Sequence, residues 1–181
     1  MEDKKYFSRQ IDESLMAWKN STRHKPLLLR GARQVGKSSS VRHLAKQFDY
    51  FVEINFERKP AYLEIFKGDR DAKHIVEMIK SITGQPIVSG KTLLFFDEIQ
   101  MCQEAISSLR FFWEDMPGLH VIAAGSLLEF ALSEIPTFGV GRIHSMFMYP
   151  MSFDEFLNAL GMFSLQKYKR EASPENPLLS A

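Results

Sequence analysis

Apolar residues along the chain follow two spacings, and together these predict helices and strands in alternation. A spacing of three or four residues, typical of one buried helix face, predicts helices over residues 6–19, 41–48, 71–82 and 103–116. Short apolar runs predict strands over residues 26–29, 50–56, 92–97, 119–124 and 142–149. Alternation of this kind predicts an α/β fold, in which a mainly parallel sheet lies between two layers of helices.

Other segments are predicted from local signals. Phe7, Ile11, Leu15 and Trp18 form the apolar stripe of the first helix, which either only packs on the core or also lines a purine pocket. Ser152 begins a capping box and predicts a helix that ends near residue 161. Weaker helical signals lie over residues 57–67 and 126–134, and the polar residues 166–181 predict a linker.

The segment between the first strand and its helix has a pattern with a known chemistry. Residues 31–38 match G-x-x-x-x-G-K-[ST], in which a glycine-rich turn directs backbone N–H groups and a helix N-terminus toward a polyphosphate. Lys37 is expected to reach the β- and γ-phosphates, and the Ser38 hydroxyl is expected to bind Mg²⁺. The predicted nucleotide-binding residues are Gly31, Ala32, Arg33, Gln34, Val35, Gly36, Lys37, Ser38 and Ser39.

Two further stretches place polar groups where the predicted strands end, which is where ligands bind in open α/β sheets. Asp97 ends an apolar strand, and a buried carboxylate needs a partner such as Mg²⁺. Glu98 follows it and is expected to orient or deprotonate the attacking water. Ser126 follows the fourth strand; it either caps the next helix or contacts the water or the γ-phosphate.

Composition narrows the class of protein. The chain has 181 residues, which suits one domain with a well-buried core, and its net charge of +1 neither favours nor excludes nucleic acid as a partner. Its single cysteine, Cys102, excludes an intramolecular disulfide and favours a reducing, cytoplasmic setting. No apolar run approaches the length of a membrane span, so we expect no membrane partner.

These motifs support a resemblance to a known family. With Gly-Ala-Arg-Gln-Val-Gly-Lys-Ser, Leu-Leu-Phe-Phe-Asp-Glu-Ile-Gln and the stretch over residues 141–156, the chain resembles the AAA-type ATP-binding proteins of bacteria and archaea. In these proteins an ATPase core precedes a separate C-terminal domain. The resemblance implies a P-loop NTPase core over residues 1–165, with an N-terminal helix (1–22) packed on it. Residues 166–181 would then be a linker or the start of a C-terminal region absent from this sequence.

The same resemblance implies a strand order and site roles. It implies the order 5-1-4-3-2, and Lys37, Asp97, Glu98 and Ser126 match the Walker A, Walker B and sensor-1 positions. Arg142, just before the fifth strand, matches the position where AAA proteins often place a catalytic arginine. We expect it to act on the nucleotide of a neighbouring subunit through self-association at this edge. The alternative is a solvated arginine that begins a strand.

The leading hypothesis is therefore Mg²⁺-dependent ATP hydrolysis. A different class of function is a nucleotide-dependent switch that binds ATP, turns it over negligibly and signals through a partner. A small-molecule kinase is disfavoured, because no arginine-bearing lid is visible after the fourth strand. The preference for ATP over GTP depends on the resemblance and on the absence of an Asn-Lys-x-Asp motif. The client remains open between nucleic acid, a toxin-like partner and another protein.

Overall fold

A computed structural model describes residues 6–68, 71–126, 128 and 141–171, and its centre is a single parallel sheet. Neighbouring strands pair in parallel in the order β2-β3-β4-β1-β5. This is the predicted order 5-1-4-3-2 counted from the other edge, and it confirms the predicted fold class. The strands are β1 Leu27–Arg30, β2 Tyr50–Asn55, β3 Thr92–Asp97, β4 His120–Ala124 and β5 His144–Phe147.

Helices cover both faces of the sheet, because successive strand side chains point to opposite faces. On one face Leu27, Phe95 and Ile122 pack in a cluster with α1 and α2, and on the other Leu28 and Phe96 pack with α3 and α4. The helices are α1 Ile11–Asn20, α2 Lys37–Ala45, α3 Ala72–Thr83, α4 Gln103–Asp115, α5 Phe153–Ala159 and α6 Phe163–Glu171. Short 3-10 helices span Pro60–Phe66 and Ile99–Met101.

The first helix begins later than the sequence predicts. It starts at Ile11, and Phe7, which the apolar stripe included, is 41% exposed. Two backbone N–H groups just before the helix bind side-chain carboxylates and not backbone carbonyls of an earlier turn. Arg9 N–H donates to the Asp12 carboxylate at 2.8 Å, and Gln10 N–H donates to Glu155 at 2.7 Å. A tertiary contact from Glu155 therefore takes the N–H of Gln10, the residue directly before α1.

The later segments agree with the sequence in part. β5 is shorter than the predicted 142–149, and a 3-10 helix over Pro60–Phe66 occupies most of the predicted 57–67. The capping box is confirmed, since Ser152 Oγ accepts from Glu155 N–H at 3.2 Å and Glu155 accepts from Ser152 N–H at 2.7 Å. Helix α6 occupies part of the predicted linker. Most of the predicted helix over 126–134 and residues 172–181 lie outside the described residues.

None of the helices in the described part of the chain is long and apolar enough to cross a bilayer.

A pair of buried histidines lies at the amino end of β4, away from the carboxyl ends of the strands. The His24 and His120 rings have centroids 3.6 Å apart, and His120 Nε2 lies 3.0 Å from the Lys19 carbonyl. Among the described residues, both His24 nitrogens and His120 Nδ1 are buried without a hydrogen-bond partner. Burial lowers the pKa of His24 and lowers the pKa of His120 to about 4. The folded chain therefore keeps this pair neutral.

Acidification from pH 7 to pH 5 is expected to lower the free energy of unfolding by about 2 kcal/mol through His120 alone. The pKa of His120 is about 4 when folded, against 6.5 for an unperturbed histidine. Its contribution is therefore fully present above pH 6.5 and is lost as the pH falls toward 4. Urea unfolding at both pH values measures this. His120→Gln can still donate to the Lys19 carbonyl and should reduce the change in the free energy of unfolding between pH 7 and pH 5. An equal change in both proteins would contradict the prediction.

Candidate functional site

The loop between β1 and α2 curls tightly around the helix N-terminus. Gly31 has φ +141°, and a Cβ there would lie 2.2 Å from the Met148 carbonyl oxygen, so only glycine lets the loop pass the segment after β5. Gly36, the residue before α2, has φ +103°, and Gln34 has φ +63°. The loop thus adopts a curled conformation that favours glycine at both ends, as the motif predicts.

The Lys37 side chain lies inside this curl. Its Nζ donates to the Gly31 carbonyl at 2.9 Å and to the Ala32 carbonyl at 2.7 Å, and the residue is only 8% exposed. Burial lowers the pKa of Lys37, while the charges of Glu98 and Asp97 oppose that change. An anion such as a phosphate would offer this ammonium a stronger partner than the loop carbonyls do.

Ser38 and Asp97 come together as the sequence predicts. Ser38 Oγ donates to Asp97 Oδ1 at 2.8 Å, and Asn55 Nδ2 donates to Asp97 Oδ2 at 2.9 Å. Burial raises the pKa of Asp97, although the hydrogen bonds from Ser38 and Asn55 oppose the rise. A hydroxyl beside a buried carboxylate is an oxygen ligand set that suits Mg²⁺. These two residues therefore fit the expected metal.

An ion pair beside Asp97 was missed by the sequence reasoning. Arg42 binds Glu53 through two hydrogen bonds of 2.9 and 2.6 Å, and its guanidinium lies 3.5 Å from Asp97 Oδ2. Asn55 was missed too, although β2 and β3 pair in a register that sets Asn55 opposite Asp97. The predicted strand order contained that signal, since it made β2 the neighbour of β3.

Glu98 and Ser126 line the same cavity as the phosphate-binding loop. Glu98 has φ +54°, an uncommon conformation for a residue with a side chain, and its carboxylate accepts from Gln100 Nε2 at 2.7 Å. Ser126 is 8% exposed. The cavity has a volume of about 370 Å³ and is lined by Arg33, Gln34, Gly36, Lys37, Ser38, Ser39, Glu98 and Ser126.

A larger cavity of about 800 Å³ also adjoins the loop and shares Arg33, Gln34, Gly36 and Ser39 with the smaller one. Its wall includes Ala32 and Val35 of the loop, and Tyr6 and Phe7 of the segment before α1. The Tyr6 ring stacks on the His43 ring with centroids 4.0 Å apart and planes at 13°. The segment before the first helix, rather than the helix itself, therefore lines the space beside the loop.

Arg142 lies apart from the other predicted site residues. It precedes β5, whose first residue pairs with Leu27, so it is at the amino ends of the strands, whereas the phosphate-binding loop follows their carboxyl ends. Its Nε lies 2.5 Å from the Glu114 carboxylate near the end of α4. The loop over residues 138–140 that precedes it lies outside the described residues. Arg142 is therefore far from its own cavity.

Comparison with known proteins agrees with this geometry. A family model described as "AAA domain" matches residues 23–157, well over half of the chain. No curated protein matches the chain. The match includes the phosphate-binding loop, Asp97, Glu98 and the strand after Arg142. Together with the parallel sheet in the order 5-1-4-3-2, this match shows that the chain belongs to the AAA domain family of P-loop ATPases.

Proposed function

We propose that this chain binds ATP at residues 31–38 and hydrolyses it with Mg²⁺. The observation that supports the proposal best is the convergence of Lys37, Ser38, Glu98 and Ser126 on one cavity, with Asp97 hydrogen-bonded behind Ser38. These residues come from three separate chain segments, so their meeting depends on the fold. The loop, the Ser38 hydroxyl, the Asp97 carboxylate and the Glu98 carboxylate together provide the groups that P-loop ATPases use for phosphoryl transfer to water.

The loop and Lys37 bind the triphosphate in this proposal. Backbone N–H groups at the start of α2 face the phosphates, and Lys37 exchanges the Gly31 and Ala32 carbonyls for phosphate oxygens. Ser38 and Asp97 hold Mg²⁺, and Asn55 with Arg42 keeps the Asp97 carboxylate oriented. When bound, Mg²⁺ neutralises part of the negative charge that develops on the phosphates.

Glu98 acts on the water. Its backbone conformation and its hydrogen bond from Gln100 fix the carboxylate at the wall of the cavity. A carboxylate in this place can orient the water and accept its proton. Ser126, on the same wall, contacts the water or the γ-phosphate and helps to set the direction of attack.

The nucleoside occupies the larger cavity beside the loop. Its volume of about 800 Å³ is enough for a purine and a ribose, and the stacked Tyr6 and His43 rings offer an aromatic edge.

The single cysteine, Cys102, is buried as a free thiol, which suits a reducing, cytoplasmic setting. The ATPase core then covers residues 1–165.

Replacing Lys37 with alanine is expected to weaken binding of Mg²⁺-ATP by about 10- to 100-fold, the effect of removing charge-assisted hydrogen bonds. The fold should survive, because the ammonium points into the loop and not into the apolar core. Titration calorimetry measures the affinity, and thermal unfolding checks the fold. Lys80→Ala, on the remote helix α3, is the matched control. Equal ATP affinities of wild type and Lys37→Ala would refute the phosphate site.

A further inference from the structure

Arg9 is buried beside the phosphate-binding loop and precedes the region that the family model matches. Its side chain is 8% exposed and hydrogen-bonds to distant parts of the chain. Nη1 donates to the Val35 carbonyl at 2.7 Å, Nη2 to the Tyr149 carbonyl at 3.0 Å and Nε to Glu155 at 3.0 Å. One guanidinium therefore connects the loop, the segment after β5 and the start of α5.

The contact with Val35 fixes the orientation of a peptide group in the loop. The described chain has no cis peptide bond, and in a trans peptide the C=O and the following N–H point in opposite directions. Because Arg9 holds the Val35 carbonyl, the Gly36 N–H must point away from Arg9. Gly36 lines both cavities, whereas Arg9 lines only the larger one, so the side of Gly36 away from Arg9 faces the 370 Å³ cavity. The Gly36 N–H is thereby directed toward the phosphate side of the loop.

We propose that Arg9 is a positioning residue for the phosphate site, which holds the Val35–Gly36 peptide so that its N–H faces the bound phosphate. This inference rests on the proposed function, since it assigns the groups that prepare that site. Arg9 lines the larger cavity but not the 370 Å³ one, so it acts on the phosphate through this peptide. A planar guanidinium with several donors can bind three acceptors at once, which a lysine ammonium in this place cannot reproduce.

Glu155 holds Arg9 in position. One of its oxygens accepts from Arg9 Nε and from the Gln10 N–H at 2.7 Å, and the other accepts from the Ser152 N–H at 2.7 Å. The capping box of α5 is thus also the anchor of the arginine that orients the loop. The hydrogen bonds from Ser152 and Gln10 and the nearby Arg9 hold the pKa of Glu155 below its usual value, although burial opposes this. The Glu155 carboxylate therefore remains charged at neutral pH.

The test uses the whole chain with Mg²⁺-ADP as the probe, so that no turnover interferes. Arg9→Lys should weaken ADP binding roughly tenfold, within the range of coupling between a binding site and a supporting contact. The change of the Gly36 amide proton shift on saturation with ADP should also be smaller than in the wild type. Glu155→Gln should also weaken ADP binding. The double variant should lose less ADP affinity than the product of the two single effects.

Lys169→Gln is the matched control, because it removes another ion pair of the α5–α6 region, between Lys169 and Asp154 at 2.8 Å. Its ADP affinity and Gly36 shift should equal those of the wild type. If Arg9→Lys is unfolded, Glu155→Gln decides the same question. If the wild type binds ADP and Arg9→Lys shows the same change of the Gly36 shift, the role proposed for Arg9 is overturned, while the proposed function stands. A wild-type chain that binds neither ADP nor ATP would overturn the proposed function and this inference with it.

Discussion

Replacing Arg142 with alanine is expected to lower ATP turnover of the assembled protein by about 10³-fold or more, the effect of losing an arginine that stabilises phosphoryl transfer. The transition state spreads negative charge over the transferred group, and Lys37 and the metal would neutralise only part of that charge. The family relationship suggests this position for such an arginine, and its place before an edge strand favours action on a neighbouring molecule.

Two features of the fold support action between molecules. First, Arg142 begins the stretch before β5, and the phosphate-binding loop follows the far end of the adjacent strand β1, on the order of 15 Å away along the strand direction. Second, its present partner, Glu114, is a half-exposed surface carboxylate. Surface ion pairs of this kind contribute roughly 0–1 kcal/mol, so a neighbour's phosphate can replace Glu114 at little cost.

Mixed assemblies measure this directly. An Arg142→Ala chain keeps an intact Glu98 site, and a Glu98→Gln chain keeps an intact Arg142, so their mixture should recover part of the turnover. The control mixes Arg142→Ala with a chain that has both substitutions, which provides no arginine and should recover nothing. Turnover per molecule of the wild type should also rise with concentration. Co-assembled mixtures that stay inactive would rule out action between molecules.

Replacing Glu98 with glutamine is expected to reduce ATP turnover by about 10²–10⁴-fold, the usual contribution of a general base. ATP and Mg²⁺ binding should persist, because Asp97 and Ser38 keep their hydrogen bond and the new amide keeps the volume of the carboxylate. The amide oxygen can still accept from Gln100, so the local backbone should not move. Single-turnover kinetics and ATP affinity, measured side by side, separate the two effects.

Glu77→Gln is a suitable control for this substitution, because Glu77 is exposed on α3 and pairs with Lys80, far from the phosphate-binding loop. It should leave turnover unchanged. If the wild type hydrolyses ATP and Glu98→Gln does so equally fast, Glu98 is a bystander. That result would favour the alternative in which the chain is a nucleotide-dependent switch that signals through a partner.

The fold and the centre of the site could be predicted because their signals are local in sequence. The apolar runs of β3 and β4 contain enough residues to identify buried strands. The loop motif itself predicts a strand before it and a helix after it. Asp97 follows a run that is buried throughout, so its place at a strand end follows from the strand itself. Boundaries are harder to predict where few apolar residues contribute, as in β5, which is exposed along most of its length.

Contacts between distant residues could not be predicted in the same way. The start of α1 was placed too early because Phe7 has the helical spacing, while Glu155, far along the chain, accepts the N–H of Gln10 directly before the helix. Arg42 looked like an ordinary polar residue of α2, and only the pairing of β2 with β3 brings Glu53 and Asp97 within its reach. No spacing in the sequence encodes such a meeting.

The sequence by itself therefore determined the order of strands and helices, and it predicted the phosphate-binding loop with Lys37, Ser38, Asp97 and Glu98 as its chemical groups. The tertiary structure alone decided that Arg9 faces the back of the loop and that Arg142 lies at the opposite end of the sheet. The physical reason is the range of the interactions. Hydrophobic periodicity and turn geometry act over a few residues, whereas a hydrogen bond across 146 positions exists only after the chain has folded.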